Sequence, residues 1–388
     1  MTHINVCFLG DDSSAKTLVG NLLYHYNKDI DFDIKNNDYE KIISSLESER
    51  IEMSNKSALI WSFIIKNKQF NVSFVNKDNG IDRSFFNTAS SCDIGFVVFD
   101  LNNYTNKVPT LLKHKLFIMN VLGIKNMVVF LDNVEKHNLT EIQLQLTNML
   151  KKRNYKETKI FFFTLEKTCI PSHDNFIKVL STIRLVNKSK EKLILPISNV
   201  FKLNDKYLGI NGRLLSGTIN VDDFIIVNPN LLTFKVIELQ KNHMNINSAC
   251  AGDNIGLRLE YNEDITEGMI ITNMDNPFKK ITSITCQFIV MNKNRIPKDL
   301  ECIFYCNSIK VNCIIKTIFK TIDKNNKTLK KKPDELDNGD NSIINIELRH
   351  PISILPYKTN NKLGSFVLMD KEDTDNILGV GLVKSIKT

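Results

Sequence analysis

A chain of 388 residues is too long for one ordinary hydrophobic core and calls for two or three domains. With 42% hydrophobic and 24% charged residues it lies in the globular range, which excludes wholesale disorder. The formal net charge of +8 gathers at Lys151-Lys152-Arg153 and Lys330-Lys331-Lys332, a pattern that reads equally as a surface for a polyanion such as RNA or as a solvated lysine-rich face.

From the N-terminus, residues 4–9 (INVCFL) form an apolar run that reaches Gly10 without a basic segment or a small-residue cleavage site, so it reads as a first β-strand and not a signal peptide. A polar loop follows, then a helical spacing through Leu18, Leu22 and Leu23. Further strand-like runs lie at 59–65, 70–75, 94–99, 127–131 and 160–163, with helical stretches at 110–122 and 140–153 between the later ones. Residues 174–186 read as a closing helix with Asp174 at its N-cap. Short buried strands alternating with helices predict a mostly parallel α/β sheet.

After the polar linker Asn187–Lys192 the pattern becomes short strands separated by turns, at 208–214, 224–227, 233–239, 254–259, 284–291, 311–319, 343–348 and 378–386. That spacing predicts two consecutive antiparallel β-barrels. The expected boundaries are 1–187 for the α/β domain, 192–280 for the first barrel and 281–388 for the second. No segment holds the ~18 consecutive apolar residues of a transmembrane helix, so no membrane partner is expected. The eight cysteines are scattered through apolar runs, and Cys302 and Cys306 lack a second pair or a histidine cluster. They read as buried reduced thiols of a cytoplasmic protein.

Gly10-Asp11-Asp12-Ser13-Ser14-Ala15-Lys16-Thr17 stands between the first strand and the first helix, where a phosphate-binding P-loop belongs. Backbone N–H groups of Gly10, Asp12, Ser13, Ser14 and Ala15 would cradle phosphate, Lys16 would neutralise charge and Thr17 would hold Mg²⁺. Ala15 replaces the second glycine, and a left-handed backbone there costs about 1–2 kcal/mol more with alanine. In such a loop Asp11 and Asp12 would face the incoming phosphate. At about 6 Å and an effective dielectric of about 20 a like-charge pair repels by roughly 3 kcal/mol.

The order of short segments after this loop resembles elongation factor 1-alpha and its relatives over nearly the whole chain. The segment His114–Leu131 is similar to that family's helix and fourth strand, and Lys159–Phe163 fills its fifth strand. Leu208–Arg213, Ser216–Ile219 and Asp222-Asp223 look like the opening of its second domain, and Ala249–Gly256 is similar to its A-x-x-G-D-N-V-G turn. Asn338–Asp340, Arg349–Ile352, Leu363–Phe366 and Gly379–Val383 continue the likeness through the third domain. The segments Ile296-Pro297, Thr328–Pro333 and Arg349–Lys358 look most like the Hbs-type ribosome-rescue branch. The resemblance implies a P-loop G domain followed by two antiparallel β-barrels, GTP or GDP with Mg²⁺ as ligands, and the ribosome with its RNA as target. It also implies a Pelota-like or release factor 1-like protein partner, a monomeric chain and no DNA partner. A divergent release-factor subunit and a weakly active GTP-binding elongation-factor-like protein remain the alternatives.

The departures from that family bear on catalysis. Its D-x-P-G-H motif corresponds to Asn76-Lys77-Asp78-Asn79-Gly80, and residues 26–113 contain no histidine to position a water. The base-reading N-K-x-D becomes Asp132-Asn133-Val134-Glu135, leaving Asn133 and the longer Glu135 as candidate base contacts. Switch I reads Arg50-Ile51-Glu52-Met53 without the Mg²⁺-binding threonine, and the S-A/G loop reads Thr164-Leu165-Glu166. Phosphoryl transfer is catalysed by positioning and electrostatics, and one such group is worth about 2.7–4 kcal/mol. Loss at all these motifs predicts negligible hydrolysis and assigns no catalytic residue. A weak or Mg²⁺-independent nucleotide complex is the most that Lys16 and Thr17 support.

Overall fold

A strand that is apolar at every position has no face to give to water, so it belongs in a sheet covered on both sides. The computed structural model describes residues 2–10, 18, 22, 60–76, 80–103, 108–136, 138–165, 173–186, 188–241, 244–292, 294–323, 325–373 and 376–387. It places such runs in a six-stranded sheet of β1 (Thr2–Gly10), β2 (Ile60–Ile65), β3 (Lys68–Asn76), β4 (Ile94–Asp100), β5 (Asn126–Asp132) and β6 (Ile160–Thr164). The spatial order is β2-β3-β1-β4-β5-β6. All neighbours are parallel except β2, which returns antiparallel along β3. The chain divides into two compact units, Met1–Gly80 with Cys92–Val186, and Ile81–Ser91 with Asn187–Thr388.

In the first unit one sheet face packs Phe96, Phe130 and Phe163 around Phe176. Phe176 meets Phe163 edge-on, with ring centroids 5.3 Å apart and planes at 87°. Phe176 belongs to a helix spanning His173–Thr182, shorter than the 174–186 read from the sequence. Asp174 lies inside the first turn and not at the cap, where its charge still favours the positive end of the helix dipole. The helix stops early because the Lys68 ammonium donates to the carbonyls of Leu180, Ser181 and Ile183 at 3.4, 2.7 and 2.5 Å, completing the C-terminus from outside. Ile183 still reaches the core from beyond the helix, which is why the apolar spacing ran on. Burial, then Arg184 and Lys66 nearby, lowers the Lys68 pKa.

The helix Thr110–Val121 buries Leu112, Leu116 and Met119. Gly95 on β4 makes room for Met119 and Met127, whose side chains would lie 2.7–2.9 Å from an added Cβ. The buried Tyr155 hydroxyl donates to the Leu116 carbonyl at 2.9 Å. The helix Leu139–Lys151 starts at Asn138, whose side chain accepts from the Glu141 N–H, and carries Glu141 in its first turn and Lys151 in its last.

The second unit contains an eight-stranded and a seven-stranded antiparallel sheet, each closing on its own apolar cluster. The strand Asn254–Glu260 alternates buried and partly exposed residues, because only one of its faces meets the core. Gly217 has φ +80°, and an added Cβ would lie 2.6 Å from the Leu193 backbone, so the Ser216–Ile219 turn requires glycine. Asp253, read from sequence as a turn former, also makes a 2.6 Å ion pair with Lys241 and accepts from the Cys250 N–H at 3.0 Å.

The helix Arg83–Ser90 belongs to this second unit. Asp82 caps it by accepting from the Phe85 N–H at 2.9 Å. Phe86 stacks on Tyr305 with centroids 4.1 Å apart, and Arg83 pairs with Glu267 at 3.1 Å. Asn87 donates to the Ser198 carbonyl at 3.0 Å, Lys362 to that of Ser90 at 3.3 Å, and Arg213 to that of Ser91.

His114 generates a pH prediction. Burial, then the nearby Arg153 and Lys113 charges, lowers its pKa below 6.5. The unfolded chain therefore takes up a proton that the fold resists. The stability associated with neutral His114 is complete above 6.5 and is lost as pH falls from there through the folded pKa. Urea unfolding of the His114→Gln variant should show a smaller loss of stability than the parent over that interval.

Candidate nucleotide site

An open parallel α/β sheet receives ligands at the carboxyl ends of its strands, where the chain order reverses. Here β1 lies between β3 and β4, so that point falls at the ends of β1 and β4. Gly10 ends β1 opposite Asn76 of β3, and Asp100 ends β4 opposite Asp132 of β5. A Cβ on Gly10 would stand 3.3 Å from that of Val98, a close approach that favours glycine.

Asn133 follows β5 in the left-handed region at φ 55°, a conformation asparagine tolerates better than most residues. Its N–H donates to Asp132 Oδ1 at 2.9 Å and its Nδ2 to Asp100 Oδ1 at 2.7 Å. Asp100 Oδ1 also accepts from the Asn102 N–H at 3.0 Å. The three side chains form a latch joining the ends of β4 and β5. Glu135 stands exposed on the following 3₁₀ turn, Val134–Lys136.

Of the candidates read from the sequence, Gly10, Asn133 and Glu135 fall within the described residues at this edge. Asp12, Ser13, Ser14, Ala15, Lys16 and the metal candidate Thr17 lie outside the described residues, as do Arg50–Met53 and Lys77–Asn79. The buried, helical Leu18 and Leu22 agree with a helix after the loop. Asp100 was missed by motif reading, although both IGFVVFD and NMVVFLD end in aspartate.

Asn133 spends an amide proton on Asp100, and both strand ends present carboxylates. Glu135 retains the acceptor chemistry that a guanine N–H edge requires. Among the described residues no group of three His, Cys, Asp or Glu side chains could hold a metal ion.

Residues 283–384 match the family described as GTP-eEF1A C-terminal domain-like. The chain is 22% identical to elongation factor 1-alpha of Archaeoglobus fulgidus, across 98% of this chain and 97% of that protein. The S. cerevisiae Ski7 GTPase-like domain bound to GDP and inorganic phosphate superposes with a TM-score of 0.74 at 14% identity, covering 98% of this chain and 97% of that one. The elongation factor SelB from Methanococcus maripaludis, in complex with the GTP analogue GPPNHP, gives 0.70 at 16% identity, covering all of this chain and 80% of that one. The chain therefore has translation-factor architecture, a G-domain-like α/β region followed by antiparallel β-barrels, and is similar throughout to elongation factor 1-alpha-like GTPases.

The latch separates strain from bonding in a paired substitution. Asn133→Gly removes the bond to Asp100, worth about 0.5–1.5 kcal/mol. Asn133→Ala removes the same bond and leaves at φ 55° a residue without the local side-chain hydrogen bonding by which asparagine tolerates that region, a strain the glycine variant escapes. Chemical denaturation should rank the parent above Asn133→Gly and Asn133→Ala last.

Proposed function

We propose that the chain is an Hbs-like translation factor with a degenerate GTPase centre, carrying a Pelota-like, tRNA-shaped partner to ribosomes in ribosome rescue and mRNA surveillance. The single observation that carries the non-catalytic part is the third motif, Asn76-Lys77-Asp78-Asn79-Gly80, with no histidine between residues 26 and 113. A protein of this architecture without that group has no side chain to orient the attacking water. The parts on this reading are a G domain over 1–187, a first barrel over 192–280 and a second over 281–388. The ribosome and partner are held by domain contacts, and affinity is not reset by loss of a γ-phosphate.

The helix Arg83–Ser90 supports this reading. It follows the third motif directly and is held by a ring stack, an ion pair and hydrogen bonds within the second unit. A phosphate-sensing segment has to change its contacts between two states, and here every such change breaks several at once. Nucleotide binding is the separable part. The Ski7 domain is described with GTP and with GDP and phosphate, and for this chain a weak or Mg²⁺-independent guanine-nucleotide complex through Lys16 and Thr17 is compatible with absent turnover.

The test is co-sedimentation of the purified chain with ribosomes and a Pelota-like protein, with GTP, with GDP and without nucleotide. The reading expects the same bound fraction in all three conditions. Release that requires GTP hydrolysis contradicts it. Ala15→Gly should tighten guanine-nucleotide binding by about 5–30-fold, the equivalent of the 1–2 kcal/mol backbone penalty, without restoring hydrolysis.

A further inference from the structure

The seven-stranded sheet carries an unusual row on its outward face. Its register sets Leu382 opposite Gln287, Gln287 opposite Ile343, Ile343 opposite Lys320, and Lys320 opposite Lys331. Directly opposed residues of an antiparallel sheet project from the same face. Two aliphatic side chains, an amide and two lysines thus share one line across five strands. A half-open cavity of about 460 Å³ lies over the part of this line from Leu382 to Lys320. Ile343 and Leu382 line it together with Lys320, Lys358, Lys384 and Tyr357.

The charges of this cavity are unbalanced. Lys202, Lys235, Lys241, Lys330 and Lys371 of the same unit each have a carboxylate partner. Among the described residues no carboxylate pairs with Lys320, Lys358 or Lys384. Asp323, next to the lining residue Ile322, turns its carboxylate onto the N–H groups of Asn325 and Lys327. Lys320 and Lys331 are like charges in directly opposed positions, an arrangement that an anion relieves. Tyr357 is 40% exposed and offers a ring at the rim.

We propose that this cavity binds the nucleotide unit of single-stranded RNA, with phosphate among Lys320, Lys358 and Lys384 and the base against Ile343, Leu382 and the Tyr357 ring. A cationic track beside an aromatic platform is the chemistry that holds single strands without reading their sequence. An acidic peptide would use the lysines and leave the ring and aliphatic floor with no matching plane. The net charge of +8 favours a polyanion as well. The proposal stands on the second barrel's own residues and does not rest on the Hbs-like reading.

Fluorescence anisotropy of a labelled oligouridine of about ten nucleotides, titrated with the full chain at several salt concentrations, tests it. Combined Lys320→Glu, Lys358→Glu and Lys384→Glu should weaken binding more than about tenfold and flatten the log–log salt slope by about 2. Tyr357→Ala should weaken it about fivefold or more with the slope unchanged. The same charge change at Lys202, Lys235 and Lys371 should have much less effect. Thermal melting establishes that each variant is folded, and Lys320→Gln alone replaces the triple reversal if that chain fails to fold. Displacement by uridine monophosphate would identify a free nucleotide as a sufficient ligand, whereas displacement by oligouridine alone would require a strand. The proposal is overturned if the cavity variants bind like the parent, if the control reversals lose as much, or if oligoglutamate displaces the probe better than unlabelled oligouridine.

Discussion

The end of β4 and the end of β5 are tied through one asparagine. Asp100 and Asp132 lie opposite each other at the edge where a parallel sheet presents its ligand site, and Asn133 donates to both. Two carboxylates so placed need donors, because unmatched charge at a partly buried edge is costly. Asn133 meets the need from a left-handed backbone position, with Asn102 contributing a further N–H. The amide that satisfies Asp100 is thereby engaged within the protein, and Glu135 is left as the exposed acceptor beside it. At this edge of the parallel sheet the asparagine and the two aspartates satisfy one another.

In the second unit, comparable investment goes into holding surfaces. The helix Arg83–Ser90 is fixed by Tyr305, Glu267, Ser198, Lys362 and Arg213. The partly buried Lys241–Asp253 pair ties a turn to the strand Glu238–Lys241. Removing one partner of such a pair leaves a poorly solvated charge, so these contacts favour one arrangement of the barrel surface. Fixed surfaces of this kind fit the proposed reading, in which the chain works through differential binding.

Much of the fold was legible in the sequence because periodicity changes once and decisively. Strands alternating with helices up to residue 186 give way to short strands separated only by turns, which separates a mostly parallel α/β sheet from antiparallel sheets. The helix end at Thr182 was hidden because Lys68, more than a hundred residues earlier, supplies the terminating donors. The eight-residue helix Arg83–Ser90 was too short to show a period, and its anchors come from distant strands. The place of Gly10, Asn133 and Glu135 at the strand ends was legible from motif position. Asp100 was not, since a single aspartate closing an apolar run carries no motif, and its significance comes from the register that sets it beside Asp132.

The proposed reading turns on whether this fold runs a Mg²⁺-dependent GTP cycle, and it holds that the chain does not. Titration calorimetry of the folded protein with GTP and GDP, with and without Mg²⁺, tests it most directly. The account predicts either no measurable heat or a weak signal that Mg²⁺ does not strengthen. Micromolar GTP binding that depends on Mg²⁺ would contradict it.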